Sequence, residues 1–323
     1  MERIFDAQID PAPLIGKRVA IIGYGNQGRA QSLNLHDSGI DVVVGLRDGS
    51  STQAEVQAAV LASASLEDAV ASADLVMMLI PDEMMAAVYG QIEPFLRPGA
   101  ALGFSHGLAI HFGFIKPRAN LDVFLLAPKG PGTALRSLFV AGDGMTSLWA
   151  VAQDSSGTAR AIALAYGQAI GSGRAGLIAS TFAEECEADL FNEGAVVWGA
   201  VPEVLVAGFD TLVEAGISPE VAYMECVGEL KLLADLIEAR GIAGMREAIS
   251  NTAELGAVIG GPRIIGNEVR TAMRAVLASV RDGSFARALA DEEASGYPLL
   301  RASRLKARSL AVEAARTKLE FSR

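Results

Sequence analysis

Two pairs of acids carry the clearest chemical suggestion in this 323-residue chain, Asp189 with Glu193 and Glu225 with Glu229. Within each pair the acids stand four residues apart in an Ala-, Leu- and Glu-rich stretch, so a helix would set both carboxylates on one face. Leu190 and Phe191 lie between the members of the first pair and Cys226 and Val227 between those of the second. Like charges in such surroundings are costly unless a cation or a proton compensates them. Ligation by oxygen alone, with no histidine nearby, suits Mg²⁺ or Mn²⁺ better than Zn²⁺. Taken one pair at a time, solvated glutamates on a helix surface account for the pattern better than a metal site does.

A second chemistry lies at Gly23-Tyr24-Gly25-Asn26-Gln27-Gly28, which follows the apolar run Val19-Ala20-Ile21-Ile22 and opens a helical stretch. In that strand–turn–helix context the glycine spacing points to a dinucleotide pyrophosphate. Gly23 permits the tight turn, Gly25 admits the pyrophosphate to the backbone, and Gly28 lets the helix close on the strand. Free N–H groups at the helix start then face the phosphates. A glycine turn used for packing alone is the competing explanation. Where an NAD site usually carries an acid, after the second strand, this chain has Arg47, followed by Ser50, Ser51 and Thr52. A guanidinium with hydroxyls suits a 2′-phosphate, which favours NADPH. Asp48 beside Arg47 keeps NADH open as the alternative.

Elements able to position these groups are legible. Short β-rich runs at 18–23, 41–45, 75–80, 100–104 and 123–126 alternate with helical stretches such as 27–38 and 52–62. This βαβ rhythm predicts an α/β fold with a Rossmann-like parallel sheet covered on both faces. Residues 148–151 are a candidate last strand. From Thr181 onward the pattern becomes helical, broken at Gly216-Ile217-Ser218-Pro219 and Gly260-Gly261-Pro262. A dinucleotide domain over 1–180 and an all-α domain over 181–323 are therefore expected, with the tail after Arg301 forming a terminal helix.

Composition narrows the partners. A net charge of −11 disfavours nucleic acid, whose binders present a basic face. The chain is 51% hydrophobic, yet polar residues are expected to interrupt each apolar run before it reaches membrane-spanning length, so no membrane partner is expected. Met1 leads into the polar residues Glu2, Arg3, Asp6 and Asp10 with no apolar leader, so a cytoplasmic location is expected. Cys186 and Cys226 lack metal or disulfide spacing and read as small buried hydrophobes. His36 and His111 read as surface or packing residues.

The glycine turn, Phe104-Ser105-His106-Gly107, Ala127-Pro128-Lys129-Gly130-Pro131-Gly132, Asp189-Leu190-Phe191-x-Glu193, Glu225-x-x-x-Glu229-Leu230-Lys231 and Ser250-Asn251-Thr252-Ala253-Glu254 form an ordered set. Together they closely resemble ketol-acid reductoisomerase in its short, class I form, over nearly the whole chain. The resemblance implies a knotted helical domain and a homodimer with a shared active site, with higher assembly admitted. It implies two Mg²⁺ ions: Asp189 bridging, Glu193 completing one site, and Glu225 and Glu229 arriving from the partner subunit. His106 and Lys129 match the family's active-site histidine and lysine, with Lys129 able to orient the bridging carboxylate. By the same resemblance Glu193 and Glu229 join the catalytic set, Ser250 contacts substrate, and Tyr24–Gln27, Arg47, Ser50, Thr52, Asp82 and Gly132 contact the cofactor.

Several neighbouring positions depart from the family pattern. Gly194 stands for a glutamine, Gly228 for a histidine, Ala248 and Leu255 for a serine and a tyrosine flanking Ser250, Thr133 for a histidine, Leu108 for a phenylalanine and Met85 for a glutamine. Lost volume and lost hydrogen-bonding groups alter substrate selection more than metal chemistry. The departures are similar to those expected of a repurposed paralogue, such as the cyclopropanol-forming type of malleicyprol biosynthesis acting on a small sulfonium-bearing hydroxy acid. The alternatives are the housekeeping enzyme converting 2-acetolactate in branched-chain amino-acid synthesis, a metal-free hydroxyacid dehydrogenase, and a non-catalytic nicotinamide sensor.

Overall fold

The computed structural model describes residues 2–319. It divides into two compact units after Ala188, inside the helix Phe182–Asn192 and eight residues past the expected 180. The reason is local: Phe182 belongs to the apolar cluster on one face of the sheet, and Glu185 and Cys186 on the same helix are buried.

Nine strands form the sheet of the first unit: β1 (Arg3–Ile4), β2 (Arg18–Ile22), β3 (Asp41–Gly45), β4 (Ala62–Ala64), β5 (Leu75–Met78), β6 (Ala101–Phe104), β7 (Asp122–Pro128), β8 (Ser147–Gln153) and β9 (Leu177–Ala179). Their spatial order is β1-β9-β8-β7-β6-β5-β2-β3-β4. Pairing is parallel from β4 through β7, whereas β8 runs antiparallel to β7 and β1 antiparallel to β9. The five expected strands are β2, β3, β5, β6 and β7, and the candidate at 148–151 lies within β8. The helix expected over 52–62 is only Gln53–Ala58; the chain turns at Val60, whose φ is 59°, and re-enters the sheet as β4. Strands β5 and β7 are buried along their whole length, as a sheet covered on both faces requires. Alternate side chains separate the two cores: Ala20, Ile22 and Phe104 pack in one, and Val19, Ile21 and Phe124 in the other.

The second unit is helical. Two π-turns interrupt it, Glu193–Val197 and Met224–Gly228. Its small core gathers Phe209, Ala222, Tyr223, Val312 and Ala315. The helices Leu230–Ala248 and Asn251–Ile264 bury no residue. Leu232, Leu233, Ile237, Leu255, Val258 and Ile259 on them are exposed. Contrary to expectation, the helical run Phe182–Glu214 holds an 18-residue window of mean hydropathy 1.6, long and apolar enough by length and composition to cross a membrane. Only Glu203 and Asp210 bear charge between Gly194 and Val213, too few to break the run. Beyond Arg301 the tail forms the rest of Pro298–Arg308 and then Ala311–Lys318.

Candidate active site

In open parallel sheets, ligands sit at the carboxyl ends of the strands where the strand order reverses. That point lies here between β2 and β5. Gly23 follows β2 with φ 94°, and a Cβ there would meet the Leu79 carbonyl oxygen at 2.9 Å. A Cβ on Gly28 would stand 3.0 Å from the carbonyl carbon of Gly23 and 3.7 Å from Ile21, so only glycine lets this helix close on the strand. Gly25 is different: nothing lies within 4 Å of a Cβ placed there, leaving open space over the backbone where a pyrophosphate fits. Tyr24 is buried in the small cluster beneath the turn with Val44 and Leu46. Asn26 Oδ1 accepts from the Thr133 N–H at 2.9 Å, and Gly132 approaches the Asn26 backbone too closely for any side chain.

A cavity of about 300 Å³ opens beside the turn, lined by Gly25, Gln27, Pro81, Asp82, Ser105 and His106 among others. Beyond β3 a second hollow of about 190 Å³ is lined by Arg47, Asp48, Gly49, Gln53 and Ser65. Next to it, the Ser50 and Thr52 hydroxyls are 3.0 Å apart. Both a cation, Arg47, and an anion, Asp48, thus line this hollow.

The carboxyl ends of β5, β6 and β7 bring together residues far apart in sequence. Asp82 opens the helix Asp82–Ile92, and its Oδ2 lies 3.0 Å from His106 Nδ1. Its other oxygen, Oδ1, is buried without a hydrogen-bond partner among the described residues. Burial opposes a charged His106, but the Asp82 bond, the Cys186 thiol and the charges of Asp82 and Glu185 outweigh it, lifting the imidazole well above its ordinary value of 6.5. Lys129 follows β7, and its Nζ lies 3.3 Å from Glu185 Oε1. Glu185 Oε2 accepts the Gly107 N–H at 2.8 Å.

Sequence reasoning passed over Glu185, an acid among acids in Glu184-Glu185-Cys186-Glu187. A usable signal was present: Phe182, Glu185, Cys186 and Asp189 share one helix face by their i, i+3, i+4, i+7 spacing, and the first of them is apolar. Cys186 is fully buried, and burial raises its thiol pKa against the lowering influence of His106. Cys226 is only half-buried. His111 is a packing residue, with Nε2 3.5 Å from Glu187 Oε1 and its ring 4.5 Å from that of Phe112, while His36 is exposed.

In the helical unit the acids stand at the π-turns. Asp189 is half-buried near the end of its helix, and Glu193 is the exposed first residue of one π-turn. Glu225 lies in the other and Glu229 directly follows it, both exposed. Such turns are rare and concentrate at functional sites, because one inserted residue redirects the side chains around it. An all-carboxylate donor set of this kind suits a hard divalent cation. Ser250, expected to touch substrate, caps the helix Asn251–Ile264 here: its Oγ accepts the Ala253 N–H at 3.2 Å. Among the departures, Leu108 and Met85 are core residues, at 1% and 3% exposure, so their effect is on packing. At Gly228 nothing lies within 4 Å of an added Cβ, and at Gly194 only Val276, at 3.6 Å.

Residues 13–176 match the family model of the acetohydroxy acid isomeroreductase NADPH-binding domain, and residues 182–322 match that of the ketol-acid reductoisomerase C-terminal domain. The chain belongs to the ketol-acid reductoisomerase family. It is similar over 100% of both chains to the NADH-preferring ketol-acid reductoisomerase from an uncultured archean, at 41% identity and a TM-score of 0.96. This reductoisomerase is accordingly an NAD(P)-dependent oxidoreductase and isomerase of the family that serves branched-chain amino-acid biosynthesis, with a Rossmann-like domain and a helical domain. Two further structures share the fold alone. A semialdehyde dehydrogenase NAD-binding protein from Cupriavidus necator is 20% identical over 82% of this chain and 99% of its own, with a TM-score of 0.63. Plasmodium falciparum pyrroline carboxylate reductase is 14% identical over 83% and 98%, with a TM-score of 0.52.

Proposed function

We propose that this reductoisomerase uses two Mg²⁺ ions and a nicotinamide on a small 2-hydroxy or 2-oxo acid outside the housekeeping reaction, closing a cyclopropanol ring in a sulfonium-bearing hydroxy acid: a carbon–carbon bond forms as the carbon–sulfur bond breaks, and a proton and the neutral sulfide leave. The observation that carries the reading is a contrast between two sets of residues. The pairs Asp82–His106 and Lys129–Glu185 are assembled, whereas around the acids the helical domain has lost bulk that nothing replaces at Gly228. Machinery kept with an enlarged surround supports changed substrate choice rather than lost chemistry.

Asp189, Glu193, Glu225 and Glu229 would hold the cations, which would chelate the substrate oxygens, lower the hydroxyl pKa and polarise a carbonyl, while the nicotinamide would take hydride from the substrate carbinol and return it, leaving no net redox change. For their part, the chain's own groups hold and orient. Glu185 fixes the Lys129 ammonium and the Gly107 backbone, and Asp82 fixes the imidazole of His106. Arg47, Ser50 and Thr52 favour NADPH. The NADH preference stated for the archaeal relative, and Asp48 in the same hollow, make NADH the necessary second arm of any test.

A second copy of the chain is part of the proposal. Two helices of 19 and 14 residues that bury nothing, yet expose Leu232, Leu233, Ile259 and other large apolar side chains, have no core of their own. A homodimer that covers this face and brings Glu225 and Glu229 to the partner's Asp189 and Glu193 satisfies both the apolar surface and the like charges. The apolar window within Phe182–Glu214 is assigned to the same surface rather than to a membrane.

The experiment incubates the protein with Mg²⁺ and each nicotinamide in turn, oxidised and reduced, offers 2-acetolactate and a sulfonium hydroxy acid separately, and identifies products by mass spectrometry. Conversion of the sulfonium acid to a sulfide-free cyclopropanol acid is expected. Rapid conversion of 2-acetolactate alone would return the protein to branched-chain synthesis. Turnover that survives chelator and exhaustive dialysis would favour a metal-free hydroxyacid dehydrogenase.

A further inference from the structure

Behind the dinucleotide turn runs a chain of amides and hydroxyls, fully buried at its centre and half-buried at its ends. Gln27 and Gln31 stand one turn apart on the helix Asn26–Asp37. Gln31 is fully buried, and so is Tyr166 on the helix Ala159–Ala169. The Gln31 amide nitrogen donates to Gln27 Oε1 and to Ser105 Oγ, each at 3.0 Å, and its oxygen accepts the Tyr166 hydroxyl proton at 2.7 Å. Gln27 in turn donates through its amide nitrogen to the Gly130 carbonyl at 2.9 Å.

Each end of the chain is adjacent to a reacting group. Ser105 immediately precedes His106, and Gly130 immediately follows Lys129. Both donor positions and the acceptor of Gln31 are engaged, so its amide has one orientation, and through it so has that of Gln27. A fully satisfied buried network is rigid and specifies one arrangement; losing one member leaves the others unsatisfied in a medium that penalises this.

We propose that Gln31 and Tyr166 are positioning residues that lock the cofactor-binding turn to the two loops carrying His106 and Lys129, so that an occupied turn holds both groups in register. Neither lines the cavity beside the turn. The inference rests on the reading in which His106 and Lys129 serve the substrate, and it explains why a tyrosine hydroxyl and a glutamine amide are fully buried and bonded to one another. Tyr166 packs there against Phe124, at a centroid distance of 6.0 Å.

The test is a double-mutant cycle on Gln31→Met and Ser105→Ala, with Tyr166→Phe as the mildest single change, all made in the full-length protein. Turnover number, KM, cofactor dissociation constant and melting temperature are measured for each. A fall of about tenfold or more in kcat, with cofactor affinity within threefold of wild type and a double mutant no worse than Gln31→Met alone, supports the lock. Additive losses, or wild-type kcat in Gln31→Met, overturn it. Should Gln31→Met fail to fold, Tyr166→Phe and Ser105→Ala each remove a single oxygen, and wild-type kcat in both overturns it equally.

A readout independent of turnover separates this inference from the functional proposal. Saturating NADPH or NADH is added to wild type and to Tyr166→Phe, and amide exchange is followed over 104–107 and 128–132. Slowing in wild type that is lost in the variant supports the lock, even if no tested acid is converted. Equal slowing in both proteins overturns it, even if the substrate assignment holds.

Discussion

Lys129 Nζ stands 3.3 Å from Glu185 Oε1, joining a side chain that is one-third exposed to one that keeps 1% of its surface. The ammonium and the Gly107 N–H both bind this deep carboxylate and help offset its burial. Glu185→Gln keeps an acceptor for Gly107 and removes the charge that positions Lys129. Turnover should fall on the order of 10²-fold, as for other lost electrostatic contacts at a reacting centre. Breaking a buried pair costs about 3–5 kcal/mol, but the solvent reaching Lys129 screens this one, so a stability loss of about 1–2 kcal/mol is expected by chemical denaturation. Wild-type kcat in a folded Glu185→Gln protein would remove Glu185 from the site.

The two glycines of the turn should separate folding from binding. Gly25→Ala meets nothing within 4 Å in the free protein, so its melting temperature should stay at the wild-type value. Its methyl group occupies the space left for the pyrophosphate, and cofactor affinity measured by calorimetry should drop at least about tenfold. Gly28→Ala drives a methyl group against the Gly23 carbonyl, so it should lose about 1–3 kcal/mol of stability as well as affinity. Equal melting temperatures for the two variants would contradict this division of roles.

Local sequence made the five central strands legible because each is a short apolar run bounded by glycine or a charged residue, and the strand–turn–helix context made the glycine turn legible too. What was hidden depends on long-range packing. Strands β1, β4 and β9 have only two or three residues each and acquire strand geometry from their neighbours. Glu185 differs from Glu184 in sequence only by sharing a helix face with Phe182 and Cys186, and it is packing that buries it. Neither π-turn has a composition of its own, so the spacing of Glu225 and Glu229 was read as plain α-helix. The Gln31–Tyr166 bond spans 135 positions, beyond the reach of any local pattern.

His106 gives the pH dependence a definite sign. Its imidazole is well above 6.5 in the folded protein, because the bond and charge of Asp82, with Cys186 and Glu185, overcome the burial that opposes protonation. A folded value above the unfolded one means the stabilisation is fully present below about pH 6.5 and is lost as pH rises through the folded value. Asp82→Asn withdraws the principal counter-charge, so the loss should begin at lower pH and be smaller. Thermal melts between about pH 6 and 10 on wild type and Asp82→Asn check this; parallel curves would mean that the pair contributes nothing.

Assembly and metal binding should fail together, yet leave the first unit intact. Leu233 and Ile259 are 41% and 56% exposed on helices that bury nothing, so a charge at either position costs little within one chain and much at an interface. Ile259→Asp should shift the protein from dimer, or a larger assembly, to monomer in light-scattering chromatography. If Glu225 and Glu229 act across subunits, that monomer should have no turnover and should still bind the nicotinamide with wild-type affinity, since Gly23–Gly28, Arg47 and Asp82 all lie in the first unit. Glu225→Gln should likewise abolish turnover while leaving both the dimer and cofactor binding in place, and chelator should do the same to wild type until Mg²⁺ is restored. An Ile259→Asp monomer that turns over at the wild-type rate would place the whole metal site within one chain.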